Sequence, residues 1–436
     1  MDPRNNRLTV GIDFSTQWAD ASLMAPDGTS LLRHQRFDNS LPGYQALKQV
    51  LLERLATSAY TGVDLAGEAT GMYWLPFFLE LAADPELQAY DAALFVLNPR
   101  WVKWYKHSLP HTDKTDRNDA RVIADRVRVH RPAHAWQADL PMLALRTATR
   151  HRRHLVQLLA AEKSFFCAYL FLQASAYQRL APFSNVFTAT SRLVLDQACT
   201  LDALAALPVT ELAARLDELS HHTLRAPTQT AARHQDVAVQ SFQLPQELGL
   251  PVHEIMAATL RHIAFLEAEI THAEAAIARQ LANFPAIQQL QTIPGIGPVF
   301  SAGIGAEIGN LDRFLAGTKF DARERERPKN LRDAEDAVAK TAGLWWPRAE
   351  SGTFAAEERR MAKTGNAHLR YYLIQAAEQL RVRIPEYRDY YARKFREVTK
   401  HQHKRALVLT ARKSIGLYVG LLHRNEPYRS REARQT

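Results

Sequence analysis

The chain has 436 residues, 46% of them hydrophobic, which is enough for about two to four domains with buried cores. Its formal net charge of +9 and its pI near 9.5 favour a polyanionic partner, with nucleic acid first and an acidic membrane surface second. Cys167 and Cys199 form no Cys-x-x-Cys pair, which argues against a zinc knuckle and a disulfide framework and fits a reducing cytoplasm. The first residues form no apolar leader, which argues against an exported protein, and no apolar run is expected to span a membrane.

The first 135 residues predict a mixed α/β domain. Helical periodicity covers residues 42–56, 73–83 and 116–130. Apolar, β-rich segments predict strands over residues 8–14, 18–24, 30–37, 63–68 and 92–98. Three antiparallel strands followed by alternating helices and strands indicate a mixed α/β sheet.

Four acidic residues fall at the ends of these elements. Asp13 ends the first strand, Glu68 ends the fourth, and Asp116 and Asp119 share one face of the helix after the fifth. Sites in open α/β sheets collect beyond strand ends, and a set of carboxylate oxygens suits Mg²⁺. Each acid alone also has a structural interpretation: a turn, a salt bridge, or a polar first helical turn capped by Thr115.

Four short segments carry a resemblance to a known family. Residues 11–13, 68–71, 98–100 and 114–120 resemble the N-terminal signature of the DEDD-type insertion-sequence transposases. These recombinases have a RuvC-like (RNase H-like) domain and are guided by a bridge RNA. The resemblance implies that a catalytic, metal-binding tetrad is formed by Asp13, Glu68, Asp116 and Asp119.

The middle of the chain predicts two long helices, over residues 142–180 and 251–284. In the second, apolar residues recur every seven positions from Met256 to Phe284, which favours a coiled coil with the first helix, antiparallel, or with its equivalent in another subunit. The first helix has a basic stretch that predicts phosphate contacts, although a solvated coiled-coil face is the alternative. Its candidate nucleic-acid contacts are Arg146, Arg150, Arg152 and Arg153. Residues 182–245 suggest short helices and no chemistry.

Residues 292–298 (TIPGIGP) look like a helix-hairpin-helix turn before a small-residue helix over 299–308. Gly295 and Gly297 would let the backbone approach a phosphate, although the same turn also serves an ordinary helix–helix connection. The charge-dense residues 321–340 are interpreted as an insertion with a solvated loop or helix face.

Residues 343–352 and 363–370 resemble the C-terminal block of the same family. The resemblance implies that Ser351 is the nucleophile, which would form a covalent phosphoserine–DNA intermediate. A Ser-Gly turn is the structural alternative. Cations interleaved with tyrosines dominate the last segment and suit phosphate contact and base stacking. Further candidate nucleic-acid contacts are Lys363, Asn366, Arg370, Arg412 and Lys413.

These observations predict an α/β plus α protein with three domains: an RNase H-like metal-binding domain (1–135), a helical coiled-coil domain (136–286) and a mostly helical C-terminal transposase domain (287–436). The function that the resemblance implies is that of a cytoplasmic DNA transposase acting on donor and target DNA. It would use Mg²⁺ and a structured guide RNA, work as a homo-oligomer (dimer or tetramer), and need no membrane. Two alternatives remain: a metal-dependent, junction-resolvase-like nuclease, and a non-catalytic nucleic-acid-binding protein, which has no reason to gather four acids.

Overall fold

The computed structural model describes residues 6–57, 60–109, 116–197, 206–321, 323–347, 350–351, 354–355 and 360–430. At residues 116–117, 196–197, 350–351 and 354–355 it describes the backbone and not the side chains. The chain divides into two compact units, Met1–Leu140 and Pro141–Thr436. The predicted boundary at residue 286 lies inside the second unit and stays a prediction.

The first unit contains the predicted strands, each within one residue of its expected ends. Its elements are β1 (Arg7–Phe14), β2 (Trp18–Met24), β3 (Ser30–Asp38), α1 (Leu41–Ala56), β4 (Gly62–Glu68), α2 (Leu75–Ala83), α3 (Pro85–Gln88), β5 (Ala92–Leu97), α4 (Pro99–Ser108) and α5 (Asp116–Val129). Helix α4 was not predicted from the sequence. Its start is nevertheless encoded locally, because the Asn98 side chain accepts a hydrogen bond from the Arg100 amide at 2.9 Å and Pro99 occupies the first helical position.

The strands form one mixed sheet in the described part of this unit, in the order β3-β2-β1-β4-β5. β1 pairs antiparallel with β2, and β2 pairs antiparallel with β3. β1, β4 and β5 run parallel to one another. This mixed sheet is consistent with the RNase H-like fold that the resemblance implies.

Helices cover both faces of the sheet. Alternate residues of β1, namely Leu8, Val10 and Ile12, join the core cluster that contains residues of α1 and α2. On the opposite face, Ala66 of β4 and Phe95 of β5 pack with residues of α4 and α5. Because side chains alternate along a strand, the other residues of β1 have their side chains on the opposite face, toward α4 and α5.

The second unit is mainly helical. Its elements are α6 (Leu140–Gln173), α7 (Tyr177–Leu180), α8 (Ala189–Gln197), α9 (Val209–Leu219), α10 (Pro227–Gln240), α11 (Gln246–Leu281), α12 (Pro285–Gln288), a 3₁₀ turn (Gln289–Thr292), α13 (Pro298–Ile308), α14 (Asp312–Leu315), β6 (Thr318–Phe320), β7 (Glu326–Pro328), α15 (Leu331–Ala342), β8 (Glu350–Ser351), β9 (Phe354–Ala355), α16 (Ala367–Arg383), α17 (Pro385–Arg396) and α18 (Gln402–Arg424).

Ion pairs join α6 and α11 in antiparallel order. Near one end, Arg152 pairs with Glu274 at 2.7 Å, and further along Lys163 pairs with Glu267 at 2.9 Å. Residue numbers rise along α6 as they fall along α11, which is the order expected of two antiparallel helices in one chain. Of the seven-residue stripe, Met256, Ile263 and Ile277 are buried. Coiled-coil packing of this pair stays a prediction.

Helix α6 bears on the expectation that no apolar run would span a membrane. By length and composition alone this helix could cross a membrane, since its most apolar window has a mean hydropathy of 1.5. The cations of α6 lie mostly between Arg146 and Arg153, and the second half carries only Glu162 and Lys163 as charged residues. A single such helix is weak evidence for a membrane, because core and assembly helices have the same composition.

The charged stretch 321–340 was expected to be a solvated loop or helix face, and part of it also contributes to the protein core. Asn330 and Asp333 form a capping box at the start of α15, so the charge-rich sequence encodes a helix start. From there α15 buries Ala334, Val338 and Ala339 in the core of the C-terminal helices. Helix α15 is therefore amphipathic, since these residues lie in the core while Arg332 and Lys340 are exposed.

Candidate functional site

Asp13 and Glu68 lie side by side at one edge of the sheet. The parallel register pairs Gly11 with Ala66 and Ile12 with Gly67, so the next step in the same register places Asp13 beside Glu68. Adjacent strands lie about 4.8 Å apart. Asp13 follows Gly11 by two residues and Glu68 follows Ala66 by two, so both carboxylates are on the face that α4 and α5 cover.

Helix α5 runs antiparallel to β1 across this face. At its C-terminal end, the Arg128 guanidinium lies over Gly28 in the β2–β3 turn. Arg131, just beyond the helix, donates to Asp64 near the start of β4 at 2.6 Å. The N-terminal turn of α5 therefore lies at the opposite edge of the sheet, where β1 and β4 end.

A close backbone contact seats the helix there. A Cβ on Gly11 would lie 2.1 Å from the Ala120 carbonyl oxygen and 2.3 Å from the Ala124 amide nitrogen. Only glycine allows this approach, which brings Asp119, one residue before Ala120, over the end of β1. Asp116 is the first residue of α5, and its side chain lies outside the described residues.

Lys106 of α4 enters the same site. Its ammonium group donates to Asp119 Oδ1, and both side chains are mostly shielded from solvent. Glu68, in turn, accepts a hydrogen bond from the Thr70 hydroxyl at 2.9 Å. A lysine is thus the fixed cation among the acids in the described part of this edge.

The electrostatics of Glu68 reflect this crowding. Burial raises its pKa above the usual value, the Thr70 hydrogen bond opposes that rise, the Asp119 charge adds to it and the Lys106 charge reduces it. The net direction is upward. A carboxylate whose pKa is raised by burial and by a neighbouring acid is the kind of group that a divalent cation stabilises in its charged form.

The fit to a metal can be tested on these residues. Among the described side chains, no three His, Cys, Asp or Glu residues form a group that could hold a metal ion. Asp13, Glu68 and Asp119 are among those side chains, whereas the side chain of Asp116 is not described. The donor chemistry does fit, because Asp13, Glu68 and Asp119 offer hard oxygen ligands and Glu68 responds electrostatically to Asp119.

Ser351 lies in the second unit, at the end of a short hairpin. Its backbone pairs with Phe354, and Glu350 pairs with Ala355. The Ala362 amide donates to the Trp345 carbonyl at 3.0 Å and closes the base of the segment. The Ser351 side chain and residues 352–353 lie outside the described residues. Its role as nucleophile stays a prediction.

The turn after this hairpin is held tightly against the end of α15. The Asn366 amide donates to the Thr341 carbonyl at 2.7 Å. A Cβ on Gly365, whose φ is +121°, would lie 2.4 Å from the same Thr341 oxygen. Asn366 also caps α16, since its side-chain oxygen accepts from the His368 and Leu369 amides. The Lys-x-Gly-Asn motif therefore fixes one end of the serine-bearing segment.

A buried carboxylate that sequence reasoning missed links this turn to α6. Glu307 of α13 accepts two hydrogen bonds from the Arg150 guanidinium, at 2.7 and 2.9 Å, and one from the Asn366 side chain at 2.6 Å. Burial alone would raise the pKa of Glu307, but Arg150 holds it below the usual value. The available signal was a lone acid in the otherwise apolar sequence PVFSAGIGAEI.

The other predicted cations on α6 also have partners within the second unit. Arg152 pairs with Glu274, and Arg146 donates to the Ala306 carbonyl at 2.9 Å. The Arg153 guanidinium lies 4.8 Å from the centroid of the Tyr371 ring. These contacts explain the basic stretch as a docking surface for neighbouring helices, and any additional contact with nucleic acid stays a prediction.

Most of the candidate nucleic-acid contacts near the C-terminus also have partners within the second unit. Arg370 donates to the Ala342 carbonyl at 2.9 Å, Arg412 pairs with Asp336 at 2.5 Å and Lys413 pairs with Glu386 at 2.9 Å. Lys363, by contrast, is exposed. Nucleic-acid contact by these four residues stays a prediction.

The two glycines of the predicted hairpin turn differ from each other. Gly295 has φ +87°, and a Cβ there would meet the Arg383 side chain at 2.5 Å. Gly297 precedes the first residue of α13, and a Cβ there would meet nothing within 4 Å. The open side of the turn is therefore at Gly297. A helix-hairpin-helix function stays a prediction.

Comparisons with known proteins match the part of the chain that contains the acidic edge and a second part that contains Ser351. A transposase family profile (the DEDD type, IS110) matches residues 10–171, and the profile "Transposase IS116/IS110/IS902 family" matches residues 326–392. The chain is also 23% identical over 428 residues to the insertion element IS116 uncharacterized 44.8 kDa protein of Streptomyces clavuligerus, covering 97% of this chain and 96% of that protein. Since the second profile begins at residue 326, most of the stretch interpreted as an insertion belongs to the matched region.

Proposed function

This chain belongs to the IS116/IS110/IS902 family of transposases and is a DNA-recombining enzyme, and we propose that it cuts and rejoins strands with a carboxylate tetrad and a serine nucleophile. The observation that carries the proposal is the convergence at one sheet edge of Asp13, Glu68 and the first turn of α5. Asp116 and Asp119 belong to that turn, and the four residues would hold Mg²⁺.

The reaction divides between the two matched regions. Mg²⁺ bound by the tetrad would supply activation of the attacking oxygen and stabilisation of the leaving oxygen. Ser351 gives up its hydroxyl proton as its Oγ bonds to phosphorus, and the bond from phosphorus to one neighbouring nucleotide breaks. The leaving oxygen takes up a proton, so that strand end is released with a free hydroxyl group. Attack by the hydroxyl of another strand then releases the serine, so rejoining needs no high-energy cofactor.

Two substitutions separate this mechanism from its alternatives. Ser351→Ala is expected to abolish the covalent protein–DNA adduct, seen by denaturing electrophoresis with labelled DNA, together with strand exchange. If adduct and exchange persist, the serine mechanism is wrong; if the wild type cuts without any adduct, the protein is a nuclease. Asp119→Asn is expected to abolish cutting while salt-dependent DNA binding remains. Unchanged cutting in that variant would exclude the tetrad.

We also propose that a structured, element-encoded RNA guides the protein to donor and target DNA. The family resemblance and the net charge of +9 support this proposal. Sequencing the nucleic acid that co-purifies with the protein tests it, because a recombinase that acts without RNA would show no enriched structured transcript.

Homo-oligomer formation in the cytoplasm completes the proposal. Supporting it is an apolar surface on α6 that the described chain leaves uncovered, including Leu158, Phe165, Phe171 and Leu172. Exposed apolar patches commonly mark interfaces. Sedimentation analysis of Phe165→Glu is expected to show smaller assemblies than the wild type, and an unchanged mass would exclude this surface as the assembly interface.

A further inference from the structure

We propose that the outer face of α4 is a platform on which unpaired bases of a single DNA strand stack next to the acidic edge. The platform consists of Trp101 and Trp104, with Arg100 and Lys103 between and beside them. The tryptophans are 55% and 58% exposed. Their spacing of three residues places both rings on one side of the helix.

Helix α4 is held on the protein by other residues, without burial of these two tryptophan rings. Helix α4 already anchors itself through Val102, which is 4% exposed and packs with α5 residues, and through Tyr105, whose hydroxyl donates to Asp125 at 2.8 Å. Tryptophan is highly buried on average in folded proteins. Two large aromatic rings left in water on a helix that is already anchored indicate a surface that binds something.

The charge of α4 identifies an anionic partner. Its sequence, PRWVKWYKHS, carries Arg100, Lys103, Lys106 and His107 and contains no acid. The Arg100 guanidinium lies 5.8 Å from the centroid of the Trp104 ring, so cation and ring present one continuous surface. Alternating aromatic rings and cations bind single strands, whose bases stack on the rings while the cations neutralise phosphates.

The position of the platform favours DNA that is being opened. Lys106, two residues after Trp104, donates to Asp119, whose charge acts on Glu68. Trp104 is therefore less than one helical turn along α4 from the residue that reaches the acidic edge. Paired bases cannot offer their faces, whereas strand exchange requires separated strands. The inference rests on the proposed function only in that the first unit handles the DNA being exchanged, and it requires neither Ser351 nor a metal.

The test is binding of a fluorescein-labelled thymidine oligonucleotide to the full chain in the presence of a chelator, measured by anisotropy. Trp101→Ala and Trp104→Ala are each expected to weaken binding about tenfold. Trp104→Phe, which keeps a stacking ring, is expected to retain most of the affinity. Phe242→Ala removes an aromatic side chain of the second unit that is 77% exposed and is expected to change nothing. Thermal unfolding shows whether each variant folds.

Several results would overturn the proposal. Unchanged affinity in both folded alanine variants excludes stacking, and an equal loss with duplex DNA excludes a single-strand site. Tighter binding of an RNA strand of matching sequence assigns the platform to RNA, and a change in sedimentation mass of the variants assigns it to a second copy of the chain. Ser351→Ala is expected to bind the oligonucleotide like the wild type, so failure of the serine mechanism is distinguishable from failure of the platform.

Discussion

Gly11 on β1 and Ala120 on α5 are in direct backbone contact. A Cβ added to Gly11 would lie 2.1 Å from the Ala120 carbonyl oxygen, closer than side-chain atoms pack. The contact seats α5 against the strand that ends in Asp13, and so determines where the first turn of α5 lies. The acidic edge depends on the absence of one methyl group in the middle of a strand.

Gly11→Ala is expected to destabilise the protein by about 2–4 kcal/mol, because the added methyl group must push a helix backbone away from the sheet. Chemical denaturation measures the change. Gly249→Ala is the control, since a Cβ there meets only Leu244 Cβ at 4.0 Å. It is expected to be neutral or stabilising, as alanine favours a helix. Equal stability of the two variants would contradict the close contact.

Lys106→Met is expected to tighten binding of Mg²⁺ or Mn²⁺ to the acidic edge about tenfold, because the lysine cation beside Asp119 repels a second cation. Isothermal titration calorimetry of the intact chain measures this without any reaction. Lys103→Met removes an exposed cation from the same helix and is expected to have a smaller effect. Weaker metal binding by Lys106→Met would mean that the lysine supports the site.

Glu307→Ala is expected to cost about 3 kcal/mol of unfolding free energy, because it leaves the Arg150 guanidinium and the Asn366 amide without their shared buried partner. The matched control is Glu274→Ala, which breaks the Arg152 pair at a carboxylate that is 39% exposed. Its expected cost is about 0–1 kcal/mol. Similar losses in urea denaturation of the two variants would show that burial does not distinguish the pairs.

His234 is expected to make stability depend on pH. Burial lowers its pKa in the folded chain, where its ring packs edge-on against Tyr177 and Phe183. Below about pH 6.5 this histidine binds a proton in the unfolded chain and not in the folded chain. The free energy of unfolding is therefore kept above that pH and decreases below it, by at most about 1.4 kcal/mol per pH unit.

Substitution of the same residue checks this dependence. His234→Phe keeps an aromatic ring and removes the titrating group, so its unfolding free energy is expected to fall less steeply than that of the wild type between about pH 6.5 and 5. Parallel pH profiles for the two proteins would show that this histidine is not the source.

The sequence by itself determined the strands of the first unit, because alternation of apolar residues and turn signals are local properties. The same is true of α5 and of the small-residue helix α13, which begins one residue earlier than predicted. Motif order also identified the family, since Gly11-Ile12-Asp13 and the segment around Ser351 can be read without coordinates. These are features that depend on neighbours in the chain.

What only the tertiary structure decided was which charges meet. The arginines of α6 suggested a solvated or phosphate-binding surface, yet Arg150 reaches Glu307, 157 residues away. Lys106 joined the acidic edge through α4, a helix the sequence analysis missed. Ion pairs and glycine contacts between distant segments depend on how the sheet and the helices pack, and they cannot be predicted from the periodicity of the sequence. Helix α5 depends on both local sequence and packing. Its own sequence determines its first turn, and the close packing at Gly11 determines its position over Asp13.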